Sequence, residues 1–492
     1  MLRPQRLSES GRANPNCLTV PVKALAALVL LFAGIHVHAQ SLEAKISVIS
    51  LSPARLRIEG KSAHPTTRWS FRNTYAGILG LGERLEKLEL LNSEGATVAV
   101  KKLAAGEFRS SEETKRFRYE VMLGEPLPAR MTHVSWINQT EGFLMLADLL
   151  PLQNASSALL SLELPNRWRA ASAFQPDETG RYQLTDPDKA VFVIGETLRE
   201  LRRKANSTQL IFLGVGDWPF NASDVLGVAV KLVKECLVLT GSDLSEPAVI
   251  MLAPLPGGVG PESWRAETRG NTVVLLVGRQ ANRNALLARL SVILSHELLH
   301  LWVPNALKLE GDYDWFFEGF TVYQALRIAT RVGIIRFNDY LDTIGRVYDS
   351  YLSAPDRDRF SLLEASERRW TANSSLVYDK GMLVALLYDL TIRTDSNNRR
   401  SLDNLYQEIF RIARSSGPTD ANAALLSGLA KEVEMKEAMQ DLIVGPGRIH
   451  LDVALRPFGL EVISQGSRSR VQVAADLTSS QRNLLRSLGY KG

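Results

Sequence analysis

The segment that most constrains this chain is His-Glu-Leu-Leu-His at residues 296–300, which Glu318 follows in a second apolar segment. Two histidines four residues apart on a helix lie on the same face, so both imidazoles can reach one metal ion. Glu297 lies beside the first histidine, where a carboxylate can act on a metal-bound water. With Glu318 as a third ligand from a later helix, His296 and His300 would form a zinc site with one open position, as catalytic zinc sites do.

The residues around this segment predict two helices. Residues 285–294 are mostly apolar, as in a buried helix, and Pro304 gives that helix a stop. Gly311 and Asp312 precede Glu318, where we expect the second helix to start. The alternatives are a chance match, since His-Glu-x-x-His also occurs by accident, and a site that has decayed.

Length and composition bound the class of protein. A chain of 492 residues is too long for one ordinary core, so we expect two or three domains. The hydrophobic fraction of 45% and the charged fraction of 23% are typical of a soluble globular protein. After the first 40 residues, no segment is long and apolar enough to span a membrane.

The first 39 residues predict a secretory signal peptide. Basic residues precede an apolar block at residues 24–35, and Val-His-Ala at residues 37–39 is an acceptable cleavage site before Gln40. Retention of the leader as an uncleaved anchor is the alternative. Removing it takes away four basic residues and one acidic residue, so the net charge falls from +5 to +2. This small charge gives no argument for a nucleic-acid partner, and we expect a periplasmic or extracellular protein.

The pattern along the chain predicts a multidomain α+β protein. Residues 40–205 alternate apolar and polar residues in short runs separated by turns, which predicts a β-rich, sandwich-like domain that shapes one wall of a cleft. Residues 206–395 contain the metal-site segments, residues 396–460 are mostly helical, and residues 461–492 form a short polar tail. The individual elements that we predict are helices at 196–204, 224–239 and 375–393, and strands at 208–213, 248–252 and 272–277.

The predicted site has the chemistry of amide hydrolysis. A zinc ion held by the three ligands would lower the pKa of its bound water to about 7. Glu297 would take a proton from that water as it attacks a carbonyl carbon, and pass it to the leaving amine. Tyr378, 60 residues after Glu318, is the candidate donor to the oxyanion. Taken alone, a tyrosine near a helix start is more often a packing residue.

Three motifs together resemble the gluzincin peptidases, and the glycyl aminopeptidase family fits better than the aminopeptidase N family. The motifs are His-Glu-x-x-His-x-Trp at residues 296–302, Glu-Gly-Phe-Thr-x-Tyr at residues 318–323 and Tyr-x-Lys-Gly at residues 378–381. The resemblance covers about residues 140–460 and is clearest over residues 290–405. It implies a thermolysin-like catalytic domain behind an N-terminal β domain, one zinc ion, and peptide substrates. It also implies Glu318 as the third ligand and Tyr378 as the oxyanion donor.

The chain departs from the family pattern in two places. The 32 residues after Leu460 are too few for the PDZ domain that family members often carry, so we expect none. A Gly-Gly-Leu-Glu-His-like segment, whose glutamate binds the substrate amine in aminopeptidase relatives, is broken after Gly257 and Gly258. Glu262 and Glu267 are possible substitutes for that glutamate, and a plain surface carboxylate is the alternative for either.

Three hypotheses follow for the activity. The first is a zinc aminopeptidase that removes small N-terminal residues, as the resemblance implies. The second is a zinc endopeptidase, or a hydrolase of other amides, that does not recognise a free amine; the broken Gly-Gly segment supports it. The third is a non-enzymatic binding protein on the same fold. The intact Glu297 argues against the third, because a binding scaffold needs no general base. The sequence does not indicate an oligomeric state.

Overall fold

The computed structural model describes residues 42–492, apart from residues 125–126, 153–156, 257–258, 308, 371–373, 416–418, 433–434 and 467. The predicted signal peptide and the Gly257-Gly258 pair therefore lie outside the described residues. Within the described part, 23 strands and eleven α-helices form several separate sheets and helical layers. The expected mixed α and β architecture is confirmed at this level.

Two large sheets and the separate β3–β4 hairpin make up the N-terminal region. Its strands are β1 (Leu42–Leu51), β2 (Ala54–Ser70), β3 (Thr74–Tyr75), β4 (Ile78–Leu79), β5 (Leu85–Leu91), β6 (Thr97–Val98), β7 (Val100–Ala104), β8 (Glu107–Met122), β9 (Trp136–Ile137), β10 (Glu141–Met145), β11 (Ala158–Glu163), β12 (Arg169–Ser172), β13 (Tyr182–Leu184) and β14 (Val191–Gly195). The larger sheet has the order β13-β11-β1-β2-β8-β5-β6, with β7 paired to β8, and the smaller sheet has the order β12-β14-β10-β9. Strand β1 pairs antiparallel with β2 and parallel with β11. Its alternating pattern buries one face, because successive side chains of a strand point to opposite sides.

The smaller sheet is buried on both faces. Leu144, Phe192 and Ile194 share a core with the larger sheet. Their neighbours Phe143 and Val193 share a second core with the five-stranded sheet described next. Every residue of β10 and β14 is therefore buried, and apart from Glu141 at the start of β10 neither strand carries a polar side chain, as expected for strands that face no solvent.

A five-stranded sheet has one of its edge strands beside the candidate site. Its strands are β15 (Arg199–Ala205), β16 (Thr208–Gly214), β17 (Ala248–Pro254), β18 (Trp264–Arg269) and β19 (Thr272–Val277). The order is β15-β16-β17-β19-β18, so β15 and β18 are the two edges. Strands β16, β17 and β19 run parallel, and β18 returns antiparallel to β19. Helices α1 (Ala222–Thr240) and α2 (Arg283–Leu299) share a core with one face of this sheet.

The prediction of a helix at residues 196–204 was wrong. Residues 199–205 are strand β15, which pairs antiparallel with β16 along its whole length. The consecutive basic residues of this segment, Arg202, Arg203 and Lys204, belong to an exposed edge strand. Charged side chains suit such an edge because they discourage pairing with another strand. The other predicted strands and helices named above are confirmed as β16, β17, β19 and α1, and residues 375–393 lie within a helix described next.

The remaining chain is mainly helical. Its elements are β20 (Leu309–Glu310), α3 (Thr321–Arg331), α4 (Phe337–Ser353), α5 (Leu362–Glu367), α6 (Ser374–Asp395), α7 (Leu402–Ser415), β21 (Thr419–Asp420), α8 (Ala421–Leu429), α9 (Lys436–Met439), α10 (Leu451–Ala454), β22 (Leu460–Gln465), β23 (Arg468–Val473) and α11 (Ser479–Ser487). A π-helical segment, Trp315–Phe320, leads into α3. The polar residues after Leu460 form a hairpin and a helix, and Val471, Leu484 and Leu485 from this segment join the main core.

Candidate metal centre

The structure brings together the side chains of the three predicted metal ligands. His296 Nε2 and His300 Nε2 lie 3.0 Å apart. Glu318 Oε2 lies 3.4 Å from the first nitrogen and 3.3 Å from the second. Ligand bonds of about 2.0–2.1 Å in a tetrahedral zinc site would separate neighbouring ligand atoms by about 3.3 Å. The spacing of these three atoms therefore fits one tetrahedral ion.

Glu318 has a free carboxylate oxygen directed to this point. The residue is buried, and Oε2 has no hydrogen-bond partner among the described residues, whereas Oε1 accepts a hydrogen bond of 2.6 Å from Arg369 Nη2. Burial raises the pKa of Glu318, but His300, His296 and Arg369 outweigh it and hold the pKa well below its usual range. An ionised, buried oxygen without a hydrogen bond requires a positive charge beside it, which a protonated histidine or a metal ion can supply, so this atom fits a metal ligand.

His300 is oriented by the turn that follows α2. Its Nδ1 donates to the carbonyl oxygen of Val303 at 2.9 Å, because that oxygen can only accept. The Nε2 lone pair of the neutral ring is therefore directed towards Glu318 and His296. Burial lowers the pKa of His300, but the Glu318 carboxylate raises it to about 9 on balance. A divalent cation would thus compete with a proton at this nitrogen.

Helix α2 positions the histidines and the candidate base. It begins after Asn282, whose side chain accepts a hydrogen bond from the backbone of Ala285, and its last residue precedes His300. Glu297 is buried, and its Oε2 accepts a hydrogen bond of 2.7 Å from the Thr268 hydroxyl of edge strand β18. The five-stranded sheet therefore fixes the carboxylate beside the metal ligands.

Tyr378 reaches the centre because two backbones touch. A Cβ added at Gly319 would lie 2.5 Å from the Cα of Gly381, and one added at Gly381 would lie 2.8 Å from the carbonyl oxygen of Trp315. Only glycine permits this approach between the π-helical segment and α6. The contact brings Glu318 and Tyr378 to one guanidinium, since Arg369 Nη2 also donates to Tyr378 Oη at 2.8 Å. Burial and the Glu318 charge raise the pKa of the Tyr378 hydroxyl.

The two carboxylates considered for a substrate amine have different surroundings. Glu262 is exposed and pairs with Arg289 and Gln280. Glu267, on β18, is largely buried, and each of its oxygens already accepts a hydrogen bond. Its partners are Tyr75 Oη at 2.9 Å, His133 Nδ1 at 2.7 Å and Arg269 Nε at 3.0 Å. Burial raises the pKa of Glu267, but His133 and Arg269 lower it by more. The net pKa is therefore below its usual value, and the carboxylate is ionised.

Several residues around the centre could not be recognised from the sequence. Arg369 binds Glu318, Tyr378 and Asp314, and Thr268 binds Glu297. Apart from the contact between Arg369 and Tyr378, each of these contacts joins residues at least 29 positions apart. The spacing of residues within one element therefore cannot predict these contacts. The run Ser-Glu-Arg-Arg at residues 366–369 is an ordinary polar segment by composition. Only the fold distinguishes these residues from solvated ones.

The fold and the site define a zinc metallopeptidase. Within that class, the sequence profile of the M61 glycyl aminopeptidase family matches residues 289–384, which include both histidines, Glu318 and Tyr378. This match confirms the resemblance to the glycyl aminopeptidase family of gluzincins. No curated protein sequence matches the chain.

Solved structures show the same fold. An aminopeptidase N family protein from Idiomarina loihiensis superposes with a TM-score of 0.75 at 18% identity, covering 86% of this chain and 79% of its own. An M1 zinc metallopeptidase mutant from Deinococcus radiodurans, bound to a Tyr-Ser-Ala substrate, gives a TM-score of 0.53 at 14% identity over 84% of this chain and 94% of its own. The M1 zinc metallopeptidase of the same organism without that substrate gives 0.51 at 14% identity, covering 84% of this chain and 95% of its own.

Proposed function

We propose that this protein is a zinc-dependent peptidase that removes small residues from the N-termini of peptides. The observation that carries the proposal is the convergence of His296 Nε2, His300 Nε2 and the unpaired Glu318 Oε2 within 3.4 Å of one another. These three residues would hold the ion. When bound, zinc supplies a Lewis acid that polarises the scissile carbonyl and makes water a nucleophile at neutral pH.

Glu297 is the proposed general base. It accepts a proton from the attacking water and delivers that proton to the leaving amine. The hydrogen bond from Thr268 to Oε2 holds the carboxylate in place and leaves Oε1 for this transfer. Burial of the residue keeps bulk water away from the proton during the reaction.

Tyr378 is the proposed oxyanion donor. Its raised pKa keeps the phenol protonated across the pH range in which a peptidase works, so the hydroxyl has a proton to donate. The donation stabilises the negative charge that develops on the carbonyl oxygen. A preorganised donor of this kind typically contributes about 100–1000-fold in rate.

Glu267 is the proposed contact for the substrate amine. It lies on β18 next to Thr268, so the strand that orients the general base also carries this carboxylate. Removal of small residues is proposed because the matching profile describes glycyl aminopeptidases. In this proposal a thermolysin-like catalytic domain follows an N-terminal β-sandwich-like domain that supplies Tyr75 and His133 to Glu267.

An endopeptidase is the second candidate, and the surroundings of Glu267 favour it. The positive charge of Arg269 already compensates the carboxylate, and Tyr75 and His133 occupy further acceptor positions. A carboxylate that is compensated in this way attracts a substrate ammonium less strongly than a free one. A chain without an amine anchor would cut peptides internally by the same chemistry.

Peptides with free and with acetylated N-termini separate the two candidates. The protein is incubated with zinc and each peptide set, and the products are identified by mass spectrometry. Stepwise loss of single residues from the free peptides alone supports the aminopeptidase. Internal cuts in both sets contradict it and establish the endopeptidase. Glu267→Gln should lower kcat/KM for free peptides about tenfold or more only if Glu267 binds the amine.

Export by the predicted signal peptide is part of the proposal. The leader lies outside the described residues, and no described helix is long and apolar enough to cross a membrane. We expect the exported protein to start at Gln40 and to occur in the periplasm or outside the cell. N-terminal sequencing of the protein from those fractions tests this, and an intact leader on membrane-bound protein would contradict it.

A further inference from the structure

One guanidinium joins the third metal ligand to the proposed oxyanion donor. Arg369 Nη2 lies 2.6 Å from Glu318 Oε1 and 2.8 Å from Tyr378 Oη, and Nη1 lies 2.5 Å from Asp314 Oδ1. The side chain is only 12% exposed. From this geometry we propose that Arg369 is a positioning residue that acts through both Glu318 and Tyr378; the inference rests on the function proposed above.

The contact with Arg369 gives the two carboxylate oxygens of Glu318 different roles. Oε1 is held by Arg369, while Oε2 faces both histidine nitrogens and has no other partner among the described residues. The guanidinium therefore selects which oxygen can bind the ion and prevents the carboxylate from rotating. Residues that orient a ligand in this way typically change metal affinity by about 10–100-fold when they are removed.

The contact with Tyr378 sets the direction of its proton. An arginine has only donors, so Tyr378 Oη must be the acceptor of this hydrogen bond. The hydroxyl proton is then directed away from the guanidinium: in this structure it faces the Glu318 carboxylate, and during the reaction the oxyanion would accept it. The positive charge beside the phenol oxygen also makes the hydroxyl a stronger hydrogen-bond donor.

The surroundings of Arg369 keep the guanidinium in one orientation. Asp314 accepts a hydrogen bond from the second terminal nitrogen, Nη1. The ring centres of Trp370 and Phe317 lie 4.7 Å and 5.5 Å from the guanidinium carbon. A planar fork can bridge Asp314 and Glu318 at once, whereas the compact ammonium of a lysine cannot. Arg369→Lys should therefore retain part of the effect on Glu318 and lose the effect on Tyr378.

The test measures zinc affinity and peptide hydrolysis in the full-length protein. Zinc affinity is obtained by competition with a chromogenic chelator, which needs no substrate. Arg369→Met should weaken zinc binding about 10–100-fold and, with zinc saturating, lower kcat about 100-fold with little change in KM. Tyr378→Phe should lower kcat by a similar factor with zinc affinity within threefold of native. Arg369→Lys should fall between native and Arg369→Met in zinc affinity while losing as much kcat.

A double variant decides whether Arg369 acts through Tyr378. If it does, adding Arg369→Met to Tyr378→Phe should lower kcat at saturating zinc by less than about tenfold, because the donor is already missing. Multiplication of the two single losses would overturn this part of the proposal. Zinc affinity of Arg369→Met within threefold of native would overturn the part that concerns Glu318.

Arg393→Met is the matched control for lost stability. Arg393 is 10% exposed and pairs with buried Asp389 at 2.8 Å, so its removal takes away an equally buried guanidinium that does not contact the metal ligands. This variant should unfold at a lower temperature and keep zinc affinity within threefold of native. An equal loss of zinc affinity in both variants would overturn the proposal. If native protein cleaves no peptide, the proposed function fails, while the zinc measurements still test the contact of Arg369 with Glu318.

Discussion

Replacing the glycines between the π-helical segment and α6 should separate the metal centre from its oxyanion donor. At Gly381 a new methyl group would lie 2.8 Å from the Trp315 carbonyl oxygen and 2.9 Å from Gly319 Cα, and ordinary contacts begin near 3.4 Å. The backbones must therefore part by about 0.6 Å, and at Gly319, where the nearest atom is 2.5 Å away, by about 0.9 Å. Neither obstacle is a flexible side chain, so rotation cannot relieve the clash.

The expected sizes follow from these displacements. Overpacking of this kind lowers the free energy of unfolding by about 1–3 kcal/mol. The better helix propensity of alanine offsets up to about 1 kcal/mol of this loss. A displacement of about 1 Å in a reacting group costs about 100-fold in rate. We therefore expect Gly381→Ala to lower kcat about tenfold and Gly319→Ala about 100-fold, with unfolding temperatures reduced in the same order.

Thermal unfolding and steady-state kinetics at saturating zinc check these values. Gly227→Ala is the matched control, because Gly227 lies inside α1 and its nearest neighbour to a new methyl group is Arg203 Nη1 at an ordinary 3.8 Å. That variant should be as stable as native or more stable by up to about 1 kcal/mol, with unchanged kcat. If both interface variants unfold at the native temperature and keep kcat within twofold, the close approach does not position Tyr378.

Three further predictions concern the base, the metal and a buried lysine. Glu297→Gln should lower kcat by about 100–10000-fold while zinc stays bound, as measured by metal analysis of the purified variant; full activity would refute its role as base. Removal of zinc with a strong chelator should abolish hydrolysis, and added zinc should restore it; activity that persists in metal-free protein would contradict a metal mechanism. Burial lowers the pKa of Lys380 to about 8 from 10.5. The unfolded chain then binds the proton more tightly, so the free energy of unfolding should rise between about pH 8 and 10.5, by about 3 kcal/mol relative to Lys380→Met. Denaturant unfolding of both proteins across that range measures the difference, and parallel pH curves would show that Lys380 is not responsible.

The part of the site that follows local rules could be predicted from the sequence. The spacing of His296 and His300 requires a helix, and Pro304 limits where that helix can end. The roles of Glu318 and Tyr378 were predicted from the resemblance of their motifs to a known family. Such motifs already contain information about contacts between distant residues. The helices and parallel strands around them have strong apolar patterns, and the structure confirms them.

The contacts that orient the site follow from the fold alone. Glu267 meets His133 and Tyr75 across 134 and 192 residues, and Arg369 meets Glu318 across 51. No periodicity within a single element encodes such pairs. The error at residues 196–204 has the same origin, because a charged run without a clear period takes its structure from the strand beside it, here β16.

The small four-stranded sheet makes the β region and the catalytic region interdependent. A cut between residues 205 and 206, where the two regions were predicted to meet, falls in the turn of the β15–β16 hairpin and would free Ile211, Leu213 and Met251 from the cover that this sheet gives them. A fragment starting there would present a broad apolar face to water and would tend to aggregate. The two regions should consequently unfold in one transition, because separating them would expose the core on both faces of this buried layer.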